Sequence, residues 1–190
     1  MIKKLKRDLC ITKYRELPLT HYDKETDSEI FFYPEFEYIY WIKLEDDSKI
    51  FIKEFVKFIK LLEIENLIFL DKINKPWITK YTEKRKDYKP LIKALEYFKS
   101  QKIWGNFNGG VMMNKNDLKN FLPHFYMITR CDGGFFDYNF IDEKQNIIFY
   151  IYYTGEIKIT TLNKETDEKF LKQIKKSKFV DSFRENGKRF

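Results

Sequence analysis

The stretch from Asp132 to Thr161 constrains the fold more than any other part of the chain. It follows Cys131, opens on Asp132-Gly133-Gly134 and then reads strand, turn, strand, turn, strand. Phe135 to Ile141 is aromatic and branched, and Asp142 to Asn146 (DEKQN) is turn-forming. Ile147 to Tyr153 holds few polar residues, which predicts a strand near the middle of a sheet, with both faces covered. Thr154-Gly155 supplies the second turn. Glu156 to Thr161 alternates Ile157 and Ile159 with Glu156 and Lys158, the period of a half-exposed strand. Turns this short join antiparallel neighbours, so the stretch predicts a three-stranded meander.

The remaining segments supply what covers such a sheet. Lys49 to Glu63 places Ile52, Phe55, Val56, Ile59 and Leu62 three and four apart, the spacing of an amphipathic helix, with Glu45 to Ser48 as a turn and cap before it. Pro90 suits a helix first turn, continued by Leu91, Leu95 and Phe98 to Ser100. Asn116 is the expected N-cap of a helix from Asp117 that Pro123 shortens or kinks, and Asn163 to Lys176 forms a closing helix. Glu29 to Leu44 predicts an edge piece, a break at Pro34, and a strand from about Phe36 to Leu44. There Phe36, Tyr38 and Tyr40 share one face, and Glu37, Ile39, Trp41 and Lys43 the other. Leu67 to Ile73 reads as a strand. Ile103 to Met113 reads as strand, turn, strand, with Asn108-Gly109-Gly110 at positive φ. Met1 to Thr20 is a short helix or an irregular arm, His21 to Ser28 a loop, Asn74 to Lys89 a connector, and the tail to Phe190 polar and fraying. The expectation is an α+β fold: a mostly antiparallel sheet with a C-terminal three-stranded meander, packed by three to five helices. It is one domain over 1–190, divisible into an N-terminal subregion 1–80 and a meander-containing core 88–176.

Charge is distributed unevenly. Asp23 to Asp47 holds nine carboxylates against Lys24 and Lys43, whereas Lys72 to Lys102 holds ten Lys or Arg against Glu83, Asp87 and Glu96. A chain so divided can meet a basic partner despite a net charge of +7. The scarcity of Ala (Ala94 alone) and the excess of Lys over Arg look like AT-rich coding, which weakens any inference from the positive total to nucleic acid. With 19 Phe and 13 Tyr the core is well supplied, and about one third of the aromatics are expected at the surface as contact residues. Cys10 and Cys131 make neither a disulfide framework nor a zinc site. No apolar run approaches a membrane span and no signal-peptide core follows the basic start, so cytoplasm is the expected compartment.

Catalytic patterns are thin. Cys131 and His124 lie seven apart on one predicted helix face, without a nucleophile signature. Asp142 followed by Glu156-Ile157-Lys158 has the residue types of a metal-dependent nuclease, two carboxylates for the cation and a Lys for the attacking water. A solvent-facing strand in a Lys-rich chain shows the same alternation. Neither glycine pair has the strand-to-helix context of a phosphate loop. No cofactor, no metal site and no enzymatic activity are expected.

The order of the pieces resembles the SUKH superfamily. The helix Leu91 to Ser100 precedes Asn108-Gly109-Gly110. A short helix, Asp132-Gly133-Gly134, an aromatic strand ending in Asp142, a turn at Gly155 and a closing helix with Phe170-Leu171 follow. The likeness spans Tyr88 to Ile174; the chain lacks a clear Leu-Pro before the first helix and has an N-terminal portion of its own. The resemblance implies an immunity-type protein that neutralises a cognate bacterial toxin by direct complex formation, with no membrane partner. A metal-dependent nuclease or nucleic-acid-binding protein is the alternative. If the partner is a basic toxin, the acidic aromatic segment is the expected contact: Glu35, Glu37, Tyr38, Tyr40, Glu45, Asp46 and Asp47.

Overall fold

A computed structural model of the chain describes residues 2–45, 50–135 and 138–190. Among these, the α+β reading holds. Ten strands are β1 (Lys3–Leu5), β2 (Leu19–Asp23), β3 (Ser28–Phe32), β4 (Tyr38–Leu44), β5 (Asn66–Asp71), β6 (Gly110–Asn114), β7 (Tyr138–Asp142), β8 (Ile147–Ile151), β9 (Ile157–Thr161) and β10 (Phe179–Asp181). Six α-helices are α1 (Arg7–Lys13), α2 (Phe51–Leu61), α3 (Lys80–Glu83), α4 (Lys89–Ser100), α5 (Leu118–Cys131) and α6 (Lys164–Ile174). The count exceeds three to five because α1 and α3 are short elements, one in the segment read as a short helix or an irregular arm and the other in the expected connector.

Eight strands form one antiparallel sheet in the order β1-β6-β5-β7-β8-β9-β4-β10, and β2 and β3 form a separate pair. The meander β7-β8-β9 lies at its centre. Gly155, at φ 94°, closes the β8–β9 turn in the left-handed region that favours glycine. The subregions divided at 80–88 interleave in this sheet, since β4 pairs with β9, and β5 with both β6 and β7.

Register explains the core. One row runs Tyr40, Ile159, Phe149, Phe140, Phe69, Val111 across six strands, and every member is fully buried. The helices lay aromatic rings on it. Phe55 of α2 sits 6.0 Å from Phe140 and 5.8 Å from Phe149, Phe121 and Phe125 of α5 sit 5.0 and 5.3 Å from Phe69, and Phe170 of α6 sits 4.4 Å from Tyr40. Each buried ring contributes on the order of 1.5–3 kcal/mol by leaving water. Pro123 does not shorten α5, which runs fourteen residues. Pro123 is exposed and so is Lys119 four residues earlier, whose carbonyl therefore loses its partner on the wet side of the helix.

The opposite face carries a second, smaller core. Ile68, Leu70, Ile141 and Ile148 project there and are covered by Leu5 and by Cys10, Tyr14 and Leu17 from α1 and its continuation. The Asn108-Gly109-Gly110 step serves this layer differently from the expectation. Neither Gly109 nor Gly110 has positive φ. A side chain on Gly109 would overlap the Leu5 carbonyl oxygen, and one on Gly110 would come within 2.5 Å of Cys10 Sγ. Trp77, buried at the centre of the aromatic cluster, donates from Nε1 to the Gly109 carbonyl at 2.8 Å. The glycines admit close packing, and only the Gly110 end of Ile103 to Met113 is a strand.

Two further segments depart from expectation. His21 to Ser28 is a β-hairpin rather than a loop, with β2 and β3 in register from Leu19–Phe32 to Asp23–Ser28. The tail is held too. Strand β10 pairs with β4, the Ser182 amide donates to Trp41 O, and the Lys188 amide donates to Ile39 O at 2.7 Å. This segment covers the outer edge of β4. The expected cap at Glu45 to Ser48 falls largely on residues outside those described.

Candidate partner-binding surface

The hairpin and the segment after it concentrate exposed apolar groups. Tyr22, Ile30, Phe31, Phe32, Tyr33, Phe36 and Tyr38 are all exposed between residues 22 and 38, with Phe31 64% and Tyr22 57% accessible. All five residues of β3 are exposed. Such a run on a folded surface marks an interaction site more often than an isolated exposed ring does.

The position is fixed from both ends. Pro18 and Thr20 are buried at the start of β2, and the Thr20 amide donates to Lys72 O at 2.8 Å. After β3, Tyr33 Oη lies 2.9 Å from Thr160 Oγ1, with Lys158 Nζ 4.7 Å from its ring centroid. Buried Pro34 turns the chain, and the Glu37 amide donates to Thr161 O at 2.8 Å as the chain enters β4. Phe36 packs edge-to-face on Tyr33 at 5.8 Å. Tyr38 is capped by Lys188 Nζ, 3.2 Å from its ring centroid. Tyr33 and Phe36 pack together on the Thr160 face of the sheet, whereas Tyr38 lies on the face it shares with Tyr40.

Carboxylates alternate with these residues along the chain. Between residues 22 and 38 stand Asp23, Glu25, Asp27, Glu29, Glu35 and Glu37 against Lys24 alone. Asp27 pairs with the Tyr22 hydroxyl. The Glu25 amide and Thr26 hydroxyl hold Asp23 below the ordinary carboxylate range and keep it charged. Glu35 and Glu37 are exposed. The combination of apolar rings and negative charge suits a partner that is both apolar and cationic.

The residues expected to make contact divide accordingly. Glu35, Glu37, Tyr38 and Glu45 are exposed. Tyr40 is fully buried and donates a 2.6 Å hydrogen bond to Asp167 Oδ1, so it belongs to the core and not to any contact surface. Strand parity grouped it with Tyr38, but the helix-covered row begins at Tyr40 while Tyr38 lies where that cover ends. Asp46 and Asp47 lie outside the described residues. The hairpin rings, which sequence reasoning assigned to a loop and an edge piece, are the larger part of the surface. The signal for them was the run Ile30-Phe31-Phe32-Tyr33 beside four carboxylates.

The enzymatic alternatives find no shared site. Asp142 accepts from the amides of Lys144, Asn146 and Ile147, capping the β7–β8 turn, and burial raises its pKa against those donors. Glu156 lies beyond the other end of β8, about 17 Å away at strand rise, and binds Arg184 through both carboxylate oxygens. Arg184 accordingly holds Glu156 below its ordinary pKa. Among the described residues no three His, Cys, Asp or Glu side chains form a metal cluster. Cys131 and His124 stand two turns apart on α5. His124 stacks on Tyr97 at 4.1 Å, burial lowers its pKa, and burial raises that of the Cys131 thiol. A cleft of about 510 Å³ beside Asp142 is lined by Glu63, Glu65, Asn66, Glu143 and Lys169, but its polar groups bond one another: Lys169 to Glu63, and Asn66 to Glu143. Among the described residues no helix is long and apolar enough to cross a membrane.

No family model matches the chain, and neither a curated protein nor a solved structure matches it significantly.

Proposed function

We propose that this chain is an immunity-type binding protein that neutralises a cognate bacterial toxin by direct complex formation. The observation carrying the reading is the acidic aromatic surface of residues 22–38, where six carboxylates frame seven exposed large apolar side chains. Apolar rings left in water cost free energy, and a cluster of them on a folded surface marks a place that a partner covers. The surrounding charge selects a basic partner and speeds its approach. The order of motifs from Tyr88 to Ile174 adds the resemblance to immunity proteins. Occupation of a toxin's surface needs binding alone and asks for no catalytic group in this chain.

The test is co-expression with the product of the adjacent gene. Rescue of growth from a toxic product, together with co-purification as a one-to-one complex, supports the reading. A non-toxic neighbour, or a toxic one that is neither retained nor neutralised, overturns it.

A further inference from the structure

From the free edge of β3 we infer that a basic, extended segment of the partner docks as an added strand, extending the β2–β3 pair to three; this rests on the binding function proposed above. Among the described residues β3 pairs with β2 alone, and its other edge forms no backbone hydrogen bond to the rest of the chain. An open edge presents a row of unpaired amides and carbonyls, and folded proteins ordinarily cover or interrupt it. In the eight-stranded sheet the outer edge of β4 is covered in this way, by β10 and the tail laid along it. Among the described residues β3 has no such cover, and it holds no proline; Pro34 stands just past its end.

Both faces of the open strand carry anchors. Ile30 and Phe32 share one face, and Phe31 shares the other with Glu29. Phe31 lies beside the Lys72 ammonium, 5.8 Å from the ring centroid, and is still the most exposed ring of the hairpin. An added strand gains main-chain hydrogen bonds from the edge and side-chain contacts from alternate residues. Charge selects the occupant. Asp23, Glu25, Asp27 and Glu29 line the hairpin, and Glu35 and Glu37 flank its exit. A second copy of the hairpin would bring its own four carboxylates toward these, whereas a partner strand bearing Lys or Arg at alternate positions would neutralise them.

The test uses the full chain, isotope-labelled, and three synthetic peptides: alternating Lys and Val, the same peptide N-methylated at its successive central residues, and a version with Glu for Lys. Amide spectra and hydrogen exchange follow Ser28 to Phe32. The Lys–Val peptide is expected to shift these resonances and to slow exchange about tenfold at alternate β3 amides, with binding that weakens as salt rises. The methylated peptide is expected to bind about tenfold more weakly, and the Glu peptide not at all. An Asp27→Lys/Glu29→Lys chain, surface changes that leave the core intact, is expected to reverse the preference. Equal binding of the methylated peptide, or no protection in β3, overturns the edge-strand mode. Such a result with growth rescue intact refutes the mode and leaves the toxin-binding function standing. Loss of rescue, co-purification and peptide binding together refutes both.

Discussion

Tyr33 Oη lies 2.9 Å from Thr160 Oγ1, across 127 residues of chain. This contact fastens the exit of the exposed hairpin to the central sheet, and Lys158 on the same strand reinforces it from 4.7 Å over the ring. Removing the hydroxyl in Tyr33→Phe is expected to cost about 1 kcal/mol, the usual net value of one hydrogen bond. Tyr33→Ala removes the ring that Phe36 packs on as well. Partner affinity is expected to fall about tenfold in Tyr33→Ala, and its stability loss to exceed that of Tyr33→Phe, because the hydroxyl, the Lys158 contact and the Phe36 packing go together. Calorimetric titration beside a melting curve separates the two effects.

Glycine substitutions at the Asn-Gly-Gly step test close packing. Gly110→Ala sets a methyl 2.5 Å from Cys10 Sγ, and overpacking of this kind costs about 1–3 kcal/mol. Cys10→Ala removes that sulfur, so the double variant is expected to recover part of the loss in a double-mutant cycle. Gly109→Ala meets the Leu5 backbone carbonyl, which no side-chain truncation relieves, and Cys10→Ala should not rescue it. Urea unfolding of the three single and two double variants reads the difference.

The Tyr40–Asp167 hydrogen bond joins β4 to α6 beneath the helix layer. Tyr40→Phe leaves the buried Asp167 carboxylate with Thr161 Oγ1 at 3.1 Å and a weak ion pair to Lys188 at 3.8 Å. A loss of about 1.5–3 kcal/mol is expected, as for other hydrogen bonds to charged groups. Equilibrium denaturation checks it, and partner affinity should stay unchanged, since the side chain is buried.

Alkaline pH should destabilise the protein through its buried thiol and phenols. Burial pushes the Cys10 thiol up to about 11 from an ordinary 9.0, and burial also raises the pKa of Tyr40 and Tyr138. The unfolded chain releases these protons first. Their contribution is therefore whole below pH 9 and is lost as pH rises through the folded values. For Cys10 the slope is about 1.4 kcal/mol per pH unit at most, across pH 9 to 11. Urea midpoints between pH 8 and 11 should fall, and Cys10→Ala should flatten the decline.

The legible parts of the fold were those whose residues signal locally. Helix α2 declared itself by apolar spacing, and the meander by turns at Asp142 to Asn146 and Thr154-Gly155. The hairpin did not, because both of its strands are largely in water and burial imposes no alternation on them. Strand β10 is three residues in a polar tail, and only its pairing with β4 defines it. The roles of Gly109 and Gly110 depend on Leu5 and Cys10, about a hundred residues away, which no local pattern encodes. Of the expected contact residues, Glu35, Glu37, Tyr38 and Glu45 were legible as surface from their charge and position. Tyr40 was not separable from Tyr38, since one strand face carries both and the helices cover only one.

The most direct measurement is isothermal titration of the adjacent gene's product with the wild-type chain and with a Glu35→Lys/Glu37→Lys variant. The wild type is expected to form a one-to-one complex whose affinity falls with salt. The variant is expected to bind at least about tenfold more weakly with an unchanged melting temperature, since both residues are exposed. No complex with the wild type, or equal affinity in the variant, would contradict an acidic aromatic surface that captures a basic toxin.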